Sequence, residues 1–151
     1  MSSELNIVNT IDINAPVSTV WDALTNPEVT KAYMFGCEAL SDWEIGSELL
    51  WKGQYQGLDM VFVKGKIVDL LPNQLLVYTV FDPNSTIPDI PENYLHVTYH
   101  LLRKNNQTIL TVTQGDYNKV AEGNRRYQES WNDGQGWNPI LEEIKNICEA
   151  D

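Results

Sequence analysis

His96 and His100 are the chain's two histidines, and their spacing of four poses the first chemical question. On a helix both imidazoles would project from one face and could share a metal ion. The surrounding "YLHVTYHLLR" alternates polar and apolar residues, so the segment reads as a strand, in which four residues span roughly 13 Å, too far for one metal. Val97, Tyr99 and Leu101 form the more apolar row, which leaves the histidines on the opposite, solvent side. Neither receives a catalytic or metal-binding role.

Other reactive groups are equally dispersed. Asp42 and Glu44 fall at a strand end, and Glu142 and Glu143 lie toward the solvent side of a helix, so both pairs read as solvated charges. Cys37 and Cys148 are far apart and form no CxxC, which fits reduced thiols in a cytoplasm better than a disulfide framework. GxSxG, P-loop, HExxH and dinucleotide-binding patterns do not occur. No catalytic residue, metal ligand or cofactor is therefore assigned, and an enzyme is the less favoured class.

The aromatic residues offer more. Tyr33, Phe35, Trp51, Tyr55, Phe62, Tyr78, Phe81, Tyr99 and Tyr117, with Tyr127, Trp131 and Trp137 near the end of the chain, could line a cavity and give a ligand polar tips to bind. Strand alternation adds Val63, Val112 and Gln114 to the same inner face, together with Val61, Gly65 and Leu110. Gln114 is the most informative of these, because a buried amide under an apolar helix needs a partner, which a ligand or trapped water could supply.

The stretch "WNDGQGWNPILEE", Trp131 to Glu143, interrupts an otherwise helical pattern with two glycines and a proline. At 100° per residue Tyr127, Ser130, Trp131, Gly134, Trp137, Leu141, Ile144 and Cys148 share one stripe, and Gly136 and Pro139 project elsewhere, with a kink expected near them. Glycine in a helix costs about 1 kcal/mol relative to alanine. Two uses could offset that: close approach of the sheet to the helix backbone, or a void beside Gly134, walled by Tyr127, Trp131 and Trp137, that accepts an apolar molecule.

The elements that must position these residues follow from periodicity. "LNIVNTIDI" alternates as a half-buried strand whose inner row is broken by Asn9, and "PVSTVWDAL" and "PEVTKAYM" read as two short helices. Six β-rich runs lie between Gly36 and Gly115, joined by short turns except for the proline-rich "DPNSTIPDIPEN", a rim loop or lid. A long helix follows from about Asn118. One domain over 1–151 is expected at this length.

Ten Lys and Arg against 21 Asp and Glu give a formal charge of −11, which opposes nucleic-acid and anionic-lipid partners. No apolar run approaches the ~20 residues of a membrane span, and the amino terminus has no basic leader. A soluble, cytoplasmic protein is expected.

"INAPVSTVWDALTNPE", "GKIVDLLPNQLLVYT" and "GQGWNPILEEI" occur in that order. With the element order they resemble the START-like (SRPBCC) superfamily and, within it, the family named after the activator of the heat-shock protein 90 ATPase. The resemblance runs from about Asn6 to Cys148. It implies an α+β helix-grip fold, in which a curved antiparallel sheet wraps a long carboxy-terminal helix and two short helices close one end. It also implies a cavity between sheet and helix that holds a hydrophobic ligand. Relatives often carry paired aromatics led by tryptophan where this chain has "YMFG", and the eukaryotic co-chaperone has an amino-terminal domain that nothing before Leu5 replaces. The reading ranks binding of a small hydrophobic or aromatic ligand first. A protein-interaction module, touching a chaperone or a copy of itself, comes second, and a cavity-based enzyme third.

Overall fold

In a computed structural model the described residues are 4–150. The first strand, β1 (Ile7–Ile13), leads into α1 (Val17–Thr25) and α2 (Pro27–Tyr33). Asn26 separates the helices and caps the second, its side-chain oxygen accepting from the Glu28 N–H while Pro27 fills the first turn. Six strands follow: β2 (Glu38–Ser41), β3 (Glu48–Tyr55), β4 (Leu58–Leu71), β5 (Leu75–Val80), β6 (Leu95–Lys104) and β7 (Gln107–Gly115). They pair antiparallel in the order β1-β7-β6-β5-β4-β3-β2, a meander in which only β1 reaches across the fold to its neighbour.

Alternation decides which side of the sheet each residue takes. In β6, Leu95, Val97, Tyr99 and Leu101 are buried while His96 and His100 are exposed. In β7, Thr108, Leu110 and Val112 are buried, and they pair with Ile13, Ile11 and Asn9 of β1. The inner face carries α4 (Asn138–Glu149), whose Leu141, Ile144 and Cys148 are buried. Val20, Ala23 and Leu24 of α1 join the same core. Thr30 ties α2 to the sheet edge: its hydroxyl accepts from the Ala39 N–H and lies within bonding distance of the Cys37 carbonyl.

One register shift changes the expected inner face. Trp51 pairs with Val63 but Lys52 pairs with Val61, so Phe62 is the extra residue of a β-bulge. Val61, paired with exposed Lys52, therefore lies on the outer side and not on the inner one expected from strict alternation.

The long terminal helix is the larger correction. It is two helices, α3 (Gly123–Trp131) and α4, separated by a break through Asn132–Trp137. Asn132, Asp133, Gly134 and Gly136 all have positive φ, from 50° to 90°, a conformation that no helix can continue through. The hundred-degree count across "WNDGQG" consequently loses phase, and the shared stripe from Tyr127 to Cys148 does not exist. Gly134 is an exposed turn residue, where an added Cβ would meet nothing nearer than Trp131 at 3.8 Å. The close approach occurs at Gly136 instead, where a Cβ would lie 2.5 Å from Asn9 Oδ1 and 2.9 Å from Ile7 Cγ2.

Candidate functional site

Asn9 explains the break at its base. Its inward side chain accepts the Trp137 N–H at 2.9 Å and donates to the Gln135 carbonyl and the Asn138 side chain. A polar residue in an apolar strand row thus anchors the backbone at the entry to α4, supplying a partner for an N–H that the helix itself leaves unpaired. The anchored turn delivers the Trp137 indole to the inner face of the sheet, where it is 8% exposed.

There the indole meets Gln114 and Tyr99 of the strands. Trp137 Nε1 donates to Gln114 Oε1 at 2.8 Å, and its ring stands edge-on to Tyr99 at 5.9 Å. Tyr99 in turn is edge-on to Tyr78 at 5.4 Å, with their hydroxyls 2.7 Å apart. Tyr78 faces Trp51 at 6.3 Å. Burial pushes the Tyr78 and Tyr99 phenols well above their usual range, so both stay protonated.

Beside this chain of rings lies a cavity of about 320 Å³. Its floor comes from the sheet, with Trp51, Phe62, Val63, Tyr78, Val80, Val97 and Gln114. Trp137 closes one side, and Met34, Phe35 and Cys37 of the α2–β2 turn form the rim. Phe35 is 88% exposed with φ 54°, followed by Gly36 at φ 82°, so a left-handed turn holds the phenyl ring out at the mouth. No lining side chain is charged. Burial raises the Cys37 thiol as well, leaving the lining with neutral groups only.

Five of the residues expected from sequence come together here: Phe35, Trp51, Val63, Gln114 and Trp137. Tyr33, Tyr99 and Val112 are core residues behind the lining, with 4%, 1% and 0% exposure, and the Tyr33 hydroxyl is spent on the Ala23 carbonyl at 2.7 Å. Tyr127, Trp131 and Gly134 are not at the cavity. Tyr127 stacks on Trp131 and stands edge-on to Tyr117, a separate aromatic cluster on α3 that the break turns away. Phe62 and Tyr78, both among the aromatics that could line a cavity, are in the lining; strand alternation left Phe62 off the inner face because a bulge leaves no periodic trace. Gln114, expected to need a ligand or trapped water as its partner, bonds instead to the Trp137 indole.

A larger hollow of about 480 Å³ lies on the other side of β4, over Lys64, Lys66 and Val68 and under Asp89 and Tyr94. Within it Lys64 and the Tyr94 hydroxyl both bind the Asp89 carboxylate and hold it below the usual carboxylate range. Volume alone does not make it the better candidate for an apolar molecule, because the charged Glu48, Lys64, Lys66 and Asp89 line it. Among the described residues no helix is long and apolar enough to cross a membrane.

The family model for Activator of Hsp90 ATPase homolog 1-like proteins matches residues 14–149. The chain belongs to this family. As a START-like fold of the activator-of-Hsp90-ATPase type, it is similar to the solution structure of ChR145 from Cytophaga hutchinsonii, at 36% identity over 99% of this chain and 97% of that one, with a TM-score of 0.73. An HSP90 activator from Plasmodium falciparum is similar at 18% identity over 95% of each chain, TM-score 0.66. The Aha1 dimer from Colwellia psychrerythraea is similar at 19% identity over 96% of each chain, also with a TM-score of 0.66. These last two likenesses establish the shared fold alone. Among curated protein sequences none matches.

Proposed function

We propose that this member of the activator-of-Hsp90-ATPase family binds a small hydrophobic or aromatic molecule between the sheet and Trp137. The observation that carries the reading is an uncharged cavity of about 320 Å³ walled by Trp51, Phe62, Tyr78 and Trp137, a size and lining typical of small-molecule sites. Catalysis is disfavoured: Cys37 and Tyr78 are the lining's titratable groups, and burial drives both toward the neutral form, the opposite of an activated nucleophile or base.

Native mass spectrometry and calorimetry across a panel of fatty acids, sterols and fused-ring aromatics test the proposal. Micromolar or tighter binding is expected for at least one class, and Val97→Trp, which fills the floor, should abolish it without lowering the content of folded protein. A panel that yields no ligand, or binding that survives the filled cavity, would sink the reading.

A second reading, association with a chaperone or a second copy, draws on the exposed apolar residues Leu58 and Tyr55 at the β3–β4 hairpin, 74% and 58% exposed, and on the dimeric Colwellia relative. Light scattering and a heat-shock protein 90 ATPase assay separate it from the first. Unchanged mass up to high concentration and unchanged ATPase would exclude it.

A further inference from the structure

Strand register places two polar residues in one row of the cavity floor. Tyr78 pairs with Val97, and Val97 pairs with Gln114, so the row crosses β5, β6 and β7 with the valine in the middle. Two strand spacings separate the outer Cα positions by roughly 10 Å.

The hydrogen-bond inventory of that row can be counted. An indole N–H only donates, so the contact with Trp137 fixes the Gln114 amide with its oxygen toward the indole and leaves the NH2 over. Among the described residues that NH2 makes no hydrogen bond. The Tyr78 and Tyr99 hydroxyls share one hydrogen bond in which either can donate, so that pair assigns no fixed donor to the cavity. The leftovers are the two N–H bonds of the Gln114 amide, and the lining contains no charged side chain.

We infer that the cavity selects neutral molecules carrying a hydrogen-bond acceptor, such as a ketone oxygen, and that Gln114 determines this specificity; the inference rests on the ligand-binding reading above. A pure hydrocarbon displaces water from the donors and pairs with neither, which costs the unmet hydrogen bonds. A carboxylate pairs with them but is buried without a cation, and the desolvation of its charge outweighs the contacts. An ammonium leaves the amide N–H groups unmet and is buried without a counter-charge. Only a neutral acceptor satisfies the donors without burying a charge.

Three naphthalenes that differ in one substituent, ethyl, acetyl or carboxylate, test this by calorimetry on the full chain at neutral pH. The acetyl compound is expected to bind roughly fivefold or more tighter than the ethyl compound, the worth of one net hydrogen bond, and the carboxylate is expected to bind weakest. In Gln114→Leu the acetyl advantage should vanish while the ethyl compound still binds. Gln114→Glu keeps an oxygen for Trp137 but gives up the NH2, so it should lose the advantage too, and it carries the test if the leucine variant does not fold. Equal binding of ethyl and acetyl compounds to the native chain overturns the inference and leaves the cavity reading standing. So does a carboxylate that matches the ketone, or an acetyl advantage that persists in both variants. Binding of none of the three, together with an empty result from the broader panel, overturns the cavity reading itself and this inference with it.

Discussion

Gly136 lies so close to Asn9 that no side chain can be added there without movement. Gly134 and Gly136 share a left-handed backbone, at φ 90° and 53°, so an alanine at either position pays a conformational cost of about 1 kcal/mol. Only at Gly136 does the new methyl also strike Asn9 and Ile7. Displacing Asn9 gives up its bond from the Trp137 N–H, a further loss of about 1–2 kcal/mol. Gly136→Ala should therefore destabilise by about 2–3 kcal/mol and Gly134→Ala by about 1 kcal/mol in urea unfolding. Equal effects would show that the contact does not constrain the joint. Asn9 was visible in the sequence as an exception to the apolar row, but the exception gives no hint of its partner 128 residues away.

At the scale of elements, alternation in β1 and β-rich runs between turn residues identified all seven strands, and alternation gave the faces of β6 and β7, because those two segments are long and buried on one side. It failed at the Phe62 bulge, where one extra residue swaps the faces. The terminal helix failed for a related reason. Periodicity assumes an unbroken backbone, and glycine and asparagine in "WNDGQG" adopt left-handed conformations that reset it. The consequence is unequal anchoring: α3 buries only Gly123, whereas α4 buries Leu141, Ile144 and Cys148. Hydrogen exchange should accordingly be faster by orders of magnitude in α3 than in the middle of α4, and Trp131→Ala should leave ligand binding unchanged while Trp137→Ala weakens it. Comparable protection of the two helices would contradict this division.

For the whole molecule the shared property is a core seeded with protonated acids. Burial raises the Tyr33, Tyr78 and Tyr99 phenols and pushes the Cys148 thiol up to about 11. Each ionises more readily unfolded than folded, so its contribution to stability is complete below the unfolded pKa, about 8.5 for the thiol and about 10 for the phenols. That contribution is lost as pH rises toward the raised values. Stability should fall steadily above about pH 9, and phenolate absorbance should show a cooperative step that coincides with loss of near-ultraviolet circular dichroism. Cys148→Ala should remove part of the decline between the thiol's unfolded value and about 11. Smooth, non-cooperative titration of every tyrosine in a chain that stays folded would refute it.

The pairing of β1 with β7, Ile7 against Gln114 through Ile13 against Thr108, also sets a timetable for biosynthesis. A ribosome makes β1 about a hundred residues before its hydrogen-bonding neighbour β7, and the Trp137 turn that Asn9 grips emerges later still. Over that interval Ile7, Ile11 and Ile13 lack the strand they pair with, so β1 is a part of the nascent chain in need of shielding.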